Sequence, residues 1–393
     1  DPRFETFRAL YLRRGQIGLA APLAQNAQLD TAAGGHADYL ALHNLSGHFQ
    51  NQATYPAGFT GTTPGDRITA AGYFFAAYGE VITCSNGSGP EMIEDLIAAI
   101  YHRFLIFSTN YSEQGIGVTQ SHPACGSALV ADFGARAAAP ANVPADWVGT
   151  YPFNGQVGVP IRFNSDTENP DPVPSAGIVG YPISIHVAGD GTLVVSSFTI
   201  RPQGGSELTT RLLDHASEPS YVPARTAAIV PLVKLDYGAT YEVSFTGTLN
   251  GTPLARDWQF TTAPLEPLAL SISATPELGQ VRFDITGGSG EYPTLRYQYF
   301  SGSTPVANLA DVDGNTVRFD AVGRGRVDMT IDDDEGRSVT KSFRIVGRRG
   351  DANADGRRDI FWRNGSDGRN YIWLMDGATR LSETQLPMVA AAF

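Results

Sequence analysis

The apolar positions of this chain recur at helical spacing in its first third and alternate with polar ones beyond it. A helical segment opens the chain at Asp1. After Pro22, the positions Leu23, Ala27, Ala33, Ala37 and Leu40 recur at roughly helical spacing, which predicts a helix. TPGDRITAAGY predicts another, opened near Pro64 and closed at Gly72. A further helix is expected as one continuous element from Pro90 through EMIEDLIAAIYHRFLIF. GIGVTQ and SALVADF read as short strands. Helices and strands mixed in one segment predict an α+β layered domain over residues 1–136.

AAAPANVPADW, within 137–148, reads as a linker. Over 149–263 the runs PISIHVA, TLVVSSFTI, ATYEVSFTG and DWQFTTA alternate between Gly, Asn and Asp turns, the signature of a β-sandwich. PLEPL marks another joint. LALSISA, QVRFDIT, LRYQYF, TVRFDAV, RVDMTID and SVTKSFRIV predict a second sandwich over 267–347. Residues 348–393 are too few for a domain and read as one unit of a β repeat. The chain is therefore expected to be multidomain: an α+β N-terminal domain, two all-β sandwiches and a short β repeat.

Composition narrows the function classes. A 42% hydrophobic and 17% charged chain of 393 residues suits packed modules, not disorder. The net charge of −12, with no clustered basic face, excludes a nucleic-acid partner. No apolar run approaches the roughly 20 residues of a transmembrane segment. The opening at Asp1, without initiator Met or signal peptide, reads as that of a processed or trimmed product. Cys84 and Cys125 are the two cysteines, and in an oxidising compartment they are expected to pair as a disulfide.

Five of the seven histidines fall in the first 125 residues: His36, His43, His48, His102 and His122. His48 and His102 bracket Glu80, and His with Glu shares protons near neutral pH or holds a divalent metal. His36 reads as a buried structural residue, His43 and His122 as surface or loop residues. There is no HExxH and no G-x-S-x-G elbow, and CSNGSGPE and TGGSGEY read as flexible turns.

Several segments together resemble the CAP superfamily of cysteine-rich secretory proteins, antigen 5 and pathogenesis-related proteins, in its shorter bacterial form. They are GLAAPLAQNAQLDTAAGGHADYL at 18–40, SGHF at 46–49, TGTTPGDRITAAGY at 60–73, GE at 79–80, HRF at 102–104 and YSEQGIGV at 111–118. The resemblance implies an α–β–α sandwich whose central cleft gathers two His and up to two acids. By matching position His48 is the first His, Glu80 the first acid and His102 the second His. Val81 follows Glu80 where the family commonly has Asn, and the second acid's position falls near Ala99. Glu91 and Glu94 share a predicted helix with His102, but Glu91 stands roughly 16 Å from it along the axis. The three matched residues suit a zinc ion with water in its fourth position, or a metal-free polar network.

In the tail, Asp351, Asn353, Asp355 and Asp359 stand at positions 1, 3, 5 and 9 of DANADGRRD around Gly356. With the Arg357 carbonyl they form a cage for a hard cation, calcium. Trp362 stands where an EF-hand has its bidentate Glu, so the loop resembles that of FG-GAP or VCBS-type repeats. One such blade closes no propeller. ATYEVSFTGTLNGTPLARDWQFTTA resembles the closing hairpin of bacterial Ig-like domains, with Tyr241 and Trp258 as core anchors. Residues 267–347 resemble a PKD or Ig-type module.

These readings lead to a secreted or cell-surface binding or adhesion protein whose cleft takes a small, lipidic or metal ligand, with lipid and glycan as candidate partners. A hydrolase using His48, Glu80 and His102 around a metal-activated water is the alternative. A structural subunit of an extracellular assembly, self-associating through its Ig-like modules, is the third reading.

Overall fold

A computed structural model describes residues 1–19, 23–137, 143–174, 176–189, 191–274, 280–289, 292–301, 304–306, 310–313, 316–319, 325–345, 358–365, 369–376 and 378–386. The chain forms two compact units, residues 1–264 and 265–393.

Unit 1 begins with α1 (Pro2–Gln16), β1 (Ala24–Gln25), α2 (Ala27–His43), α3 (Pro64–Ala70) and β2 (Ala77–Ser85). It continues with α4 (Gly89–Ala98), α5 (Ile100–Ile106), β3 (Glu113–His122) and β4 (Gly126–Ala135). The strands form one sheet in the order β1-β3-β4-β2. Caps written in the sequence fix the helix starts. Asn26 accepts the backbone N–H groups of Gln28 and Leu29, and Thr63 forms a reciprocal capping box with Asp66.

Side-chain alternation assigns the two faces of the sheet. Val130 and Ile82 pack with Ala33, Ala37 and Leu40 of α2. Val81, Leu129, Ala131 and Phe133 point the other way, into a core shared with Leu10 of α1 and Ile93 and Leu96 of α4. α2 lies so close to β3 that a Cβ on Gly115 or Gly117 would collide with its backbone. This is why the strand reads GIG at its centre.

The helix expected to run unbroken from Pro90 is two. The chain leaves helical geometry at Ala99 (φ −70, ψ 113) and restarts at Ile100. Apolar periodicity continues across the break and conceals it, because both pieces bury apolar side chains. The stop is stabilised from elsewhere: Glu168 accepts the freed N–H groups of Ile100 and Tyr101 at 2.8 and 2.7 Å.

Glu168 belongs to the all-β part of the same unit. Its strands are β5 (Val148–Tyr151), β6 (Gln156–Val159), β7 (Arg162–Asn164), β8 (Ile178–Gly180), β9 (Ile183–Val187), β10 (Leu193–Pro202), β11 (Thr210–Asp214), β12 (Thr226–Pro231), β13 (Thr240–Leu249) and β14 (Thr252–Thr262). They form two four-stranded sheets, β11-β12-β9-β5 and β10-β13-β14-β6, beside a β7-β8 ribbon. Tyr241 and Trp258 are buried in this sandwich, 1% and 6% exposed, and the Tyr241 hydroxyl accepts the Asp236 N–H at 2.8 Å.

One apolar core runs from the helices into the sandwich, joining Ile106 and Phe107 to Tyr151, Ile183 and Ile185. Arg103 is fully buried there. It donates to the Pro182 carbonyl at 2.7 Å, and its guanidinium lies 4.9 Å from the Tyr151 ring centre and 5.1 Å from that of Tyr181.

Unit 2 holds two four-stranded sheets, one with Glu266–Ala274, Gln280–Gly288, Ala310–Asp313 and Thr316–Phe319, the other with Thr294–Ser301, Thr304–Val306, Gly325–Asp332 and Ser338–Ile345. Leu270, Phe283, Val327, Met329 and Ile331 form their core. A three-stranded sheet of Ile360–Arg363, Asn370–Asp376 and Thr379–Leu386 follows, with Trp362 stacked on Tyr371 at 4.7 Å. No helix among the described residues is long and apolar enough to cross a membrane.

Candidate functional site

The site is built on the α2 side of the first sheet. His36, on α2, is fully buried. Its Nε2–H donates to the Gly47 carbonyl at 3.0 Å and its Nδ1 accepts from Gln50 Nε2 at 3.1 Å. Burial, then the nearby Arg67 charge, push its pKa down to about 4, so this imidazole is neutral at neutral pH and holds the loop after α2.

That loop carries His48. Its Nδ1 donates to Glu80 Oε1 at 2.8 Å, while Glu80 Oε2 accepts from Arg67 at 2.6 Å. Arg67 also donates to the His48 carbonyl at 2.9 Å, so one guanidinium fixes both the backbone and the partner of the imidazole. Exposure falls steeply along this chain of bonds: the His48 side chain is 39% exposed, Glu80 1% and Arg67 0%. Burial alone would raise the Glu80 pKa. The bond from His48 and the charge of Arg67 outweigh it, and the carboxylate is held below its ordinary range.

Asp132 completes the group. It stands directly across the β2–β4 ladder from Glu80, is fully buried, and neither of its oxygens has a hydrogen-bond partner of normal geometry among the described residues. Burial, then the neighbouring Glu80 charge, raise its pKa well above the ordinary range. Two adjacent carboxyls are thus driven apart, Glu80 toward the charged form and Asp132 toward the protonated one. Neither Asp132 nor Arg67 was singled out in the sequence. The available signal was an Asp set within the apolar run SALVADF, because such a residue is buried on either face of the strand.

His102 does not join this group. Its Nδ1 lies 3.1 Å from Glu168 Oε1, and Glu168 also accepts its backbone N–H at 3.3 Å. The reason lies in the sheet. α5 packs through Leu105 against Gly79, on the face opposite to the Glu80 side chain. The expected zinc set of His48, Glu80 and His102 is therefore not assembled. Among the described residues it forms no group of three ligand atoms within 4.8 Å of one another. Of the remaining pair, Glu80 already has one oxygen on His48 and the other on Arg67, so one imidazole nitrogen is left, too few donors for a zinc site.

The other candidates fall as follows. Cys84 and Cys125 are joined in a disulfide, with Cα atoms 5.7 Å apart. His122, expected in a loop or on the surface, ends β3 instead and is 4% exposed, donating from Nε2 to the Leu45 carbonyl at 2.8 Å. His43, at the end of α2, donates to the Ala57 carbonyl at 2.8 Å. Asp351, Asn353, Asp355 and Arg357 lie outside the described residues. Asp359 lies within them, 8% exposed, and its Oδ1 accepts the Met375 N–H at 3.0 Å.

No protein-family model matches the chain, and no curated protein matches it either. Parts of it are similar to solved structures. An extracellular protein containing an SCP domain from Bacillus anthracis str. Ames is 20% identical over 34% of this chain and 40% of its own, with a TM-score of 0.29. An outer surface protein from Borrelia burgdorferi is 18% identical over 35% of this chain and 93% of its own, at 0.30. Fibronectin(III)-like modules of Clostridium thermocellum CbhA are 11% identical over 51% of this chain and 93% of theirs, at 0.19. At these TM-scores none of them assigns an activity to this chain.

Proposed function

We propose that the protein is an extracellular binding protein whose N-terminal module offers an oriented imidazole, His48, to a small polar or amphiphilic ligand. One observation carries the reading: a buried ion pair, Arg67–Glu80, supports a side chain that is 39% exposed. Glu80 is charged and only accepts, so Nδ1 carries the proton toward it and Nε2 makes no bond among the described residues. That nitrogen is free to meet a ligand hydroxyl, amide or acid. Phe49, next in the chain and 69% exposed, adds apolar surface for a lipidic or glycan face.

The test is titration calorimetry of the full chain against a panel of lipids, sterols and glycans, with His48→Ala beside the wild type. A ligand that binds the wild type and loses at least about tenfold in affinity in the variant, about 1.4 kcal/mol, supports the reading. A ligand bound equally by both removes His48 from the site.

The His48–Glu80 dyad also favours a second reading, general-base hydrolysis, in which Glu80 orients the imidazole and His48 takes a proton from water. No Ser, Thr or Cys is bonded to His48 among the described residues, so water is the nucleophile this version requires. Turnover of ester, peptide or glycan substrates that disappears in His48→Gln selects it. In the tail, calcium binding at Asp351–Asp359 is part of the proposal and rests on the sequence of the loop.

A further inference from the structure

Cys84, His122 and Cys125 have no part in the His48 site. They meet where β2, the end of β3 and the start of β4 converge: Cys84 pairs with Ala128 across one ladder and His122 with Gly126 across the other. A ring nitrogen of His122 and the two sulfurs all lie within 4.8 Å of one another, and among the described residues no other three His, Cys, Asp or Glu side chains do so. Both cysteines are half-buried, within reach of solvent, while His122 is buried.

The His122 ring has one nitrogen with a lone pair to offer. Its Nε2–H is given to the Leu45 carbonyl at 2.8 Å, which leaves Nδ1 as the lone-pair nitrogen. Among the described residues Nδ1 accepts the Ala124 N–H alone, a long bond of 3.3 Å that a metal would displace. Metal-bound histidines characteristically donate the other ring N–H to a backbone carbonyl, which fixes ring and tautomer.

We propose that the Cys84–Cys125 bridge and a zinc site are alternative states of the same three residues. Closed, the bridge consumes both sulfurs. When a dithiol reduces it, the S–S bond breaks, each sulfur takes a proton, and the dithiol closes to its own disulfide. Zn²⁺ then displaces the two thiol protons to form two Zn–S bonds, His122 supplies the third donor and water the fourth. Tetrahedral bonds of about 2.3 Å to sulfur and 2.0 Å to nitrogen place the donors roughly 3.5–3.8 Å apart. The bridge holds the two sulfurs closer than that and reduction lets them part, while the His122 ring nitrogen already stands within 4.8 Å of both.

The experiment uses the full chain, reduced by a dithiol, desalted without oxygen and titrated with zinc against a chromogenic chelator. One zinc per chain is expected in the reduced form and none in the oxidised form. His122→Ala, once reduced, is expected to weaken binding by more than about 100-fold, beyond what loss of an outer partner costs. X-ray absorption of the zinc-loaded wild type needs no variant and is expected to show two sulfurs and one imidazole. The proposal is overturned if reduced wild type binds no more tightly than Cys84→Ser/Cys125→Ser, or if the absorption spectrum lacks the imidazole. A reduced chain that has lost its folded circular-dichroism signal also overturns it, because only the fold brings β2 to the β3–β4 turn.

Discussion

Glu80 and Asp132 are direct partners across the β2–β4 ladder, and their buried carboxyls are driven in opposite directions. For Asp132, burial and then the Glu80 charge favour the protonated form; for Glu80, the His48 bond and Arg67 overcome burial and favour the charged one. The linkage signs are opposite too. Glu80 contributes stability above the unfolded Glu range and loses it as pH falls through its lowered folded value. Asp132 must keep a proton that the unfolded chain releases, so it destabilises the fold above the unfolded Asp value of about 3.9 and is neutral in effect below it.

Asp132→Asn replaces the acid by a neutral group of the same shape. Its melting temperature is expected to exceed that of the wild type at about pH 8 and to match it near pH 3. Thermal scans across that range check both ends. A variant less stable than wild type at the upper end would mean that Asp132 is ionised in the fold.

Removing Glu80 is a different matter, because Arg67 has no exposure through which to recover water. Glu80→Ala is expected to cost about 3–5 kcal/mol, the range for stranding one member of a buried pair. His48→Ala is expected to cost less, because the ring it removes is half-exposed and its loss opens Glu80 Oε1 to water. Urea midpoints separate the two. Equal losses would show that Arg67 finds a substitute partner and that the pair is not the support of the site.

The same residues show how far the sequence is legible. His48 and Glu80 were identifiable because His is rare here and both stand in recognisable local motifs, and they do meet at 2.8 Å. Arg67 was hidden as an ordinary charge in a capped helix start, and only the closeness of α3 to β2 makes it the counter-ion. Asp132 was hidden by its strand. His102 failed for a topological reason: matching position along the chain does not say which face of the sheet a helix will cover. Its partner Glu168 comes from 66 residues downstream, in what reads as a separate module.

Glu168 is therefore expected to matter more to unit 1 than any single His. Its carboxylate holds three backbone N–H groups at the start of α5 and the His102 ring. Glu168→Ala leaves those donors without the partner that fixes the helix break. Each buried donor left unpaired costs about 1–3 kcal/mol, so a loss of at least about 2 kcal/mol is expected in denaturant unfolding. Hydrogen exchange should quicken at Ile100 and Tyr101 before the rest of the unit. Unchanged protection there would mean that the Arg103 and Phe107 contacts alone hold α5 to the sandwich.

Asp359 and Asp355 of the tail separate a contribution to the fold from one that needs calcium. Asp359 is 8% exposed and accepts the Met375 N–H, so Asp359→Ala is expected to lower the stability of its module by about 1–3 kcal/mol with or without calcium. Asp355 has its argument only from its place in DANADGRRD, so Asp355→Ala is expected to match wild type in chelator and to fall behind it in calcium. At calcium about 100 times the dissociation constant the wild-type gain is about 2.7 kcal/mol, a rise of several degrees in melting temperature. Calorimetric scans of both variants in chelator and in calcium read the four values. If wild type and Asp355→Ala melt together at every calcium concentration, the loop is an acidic turn and no calcium site.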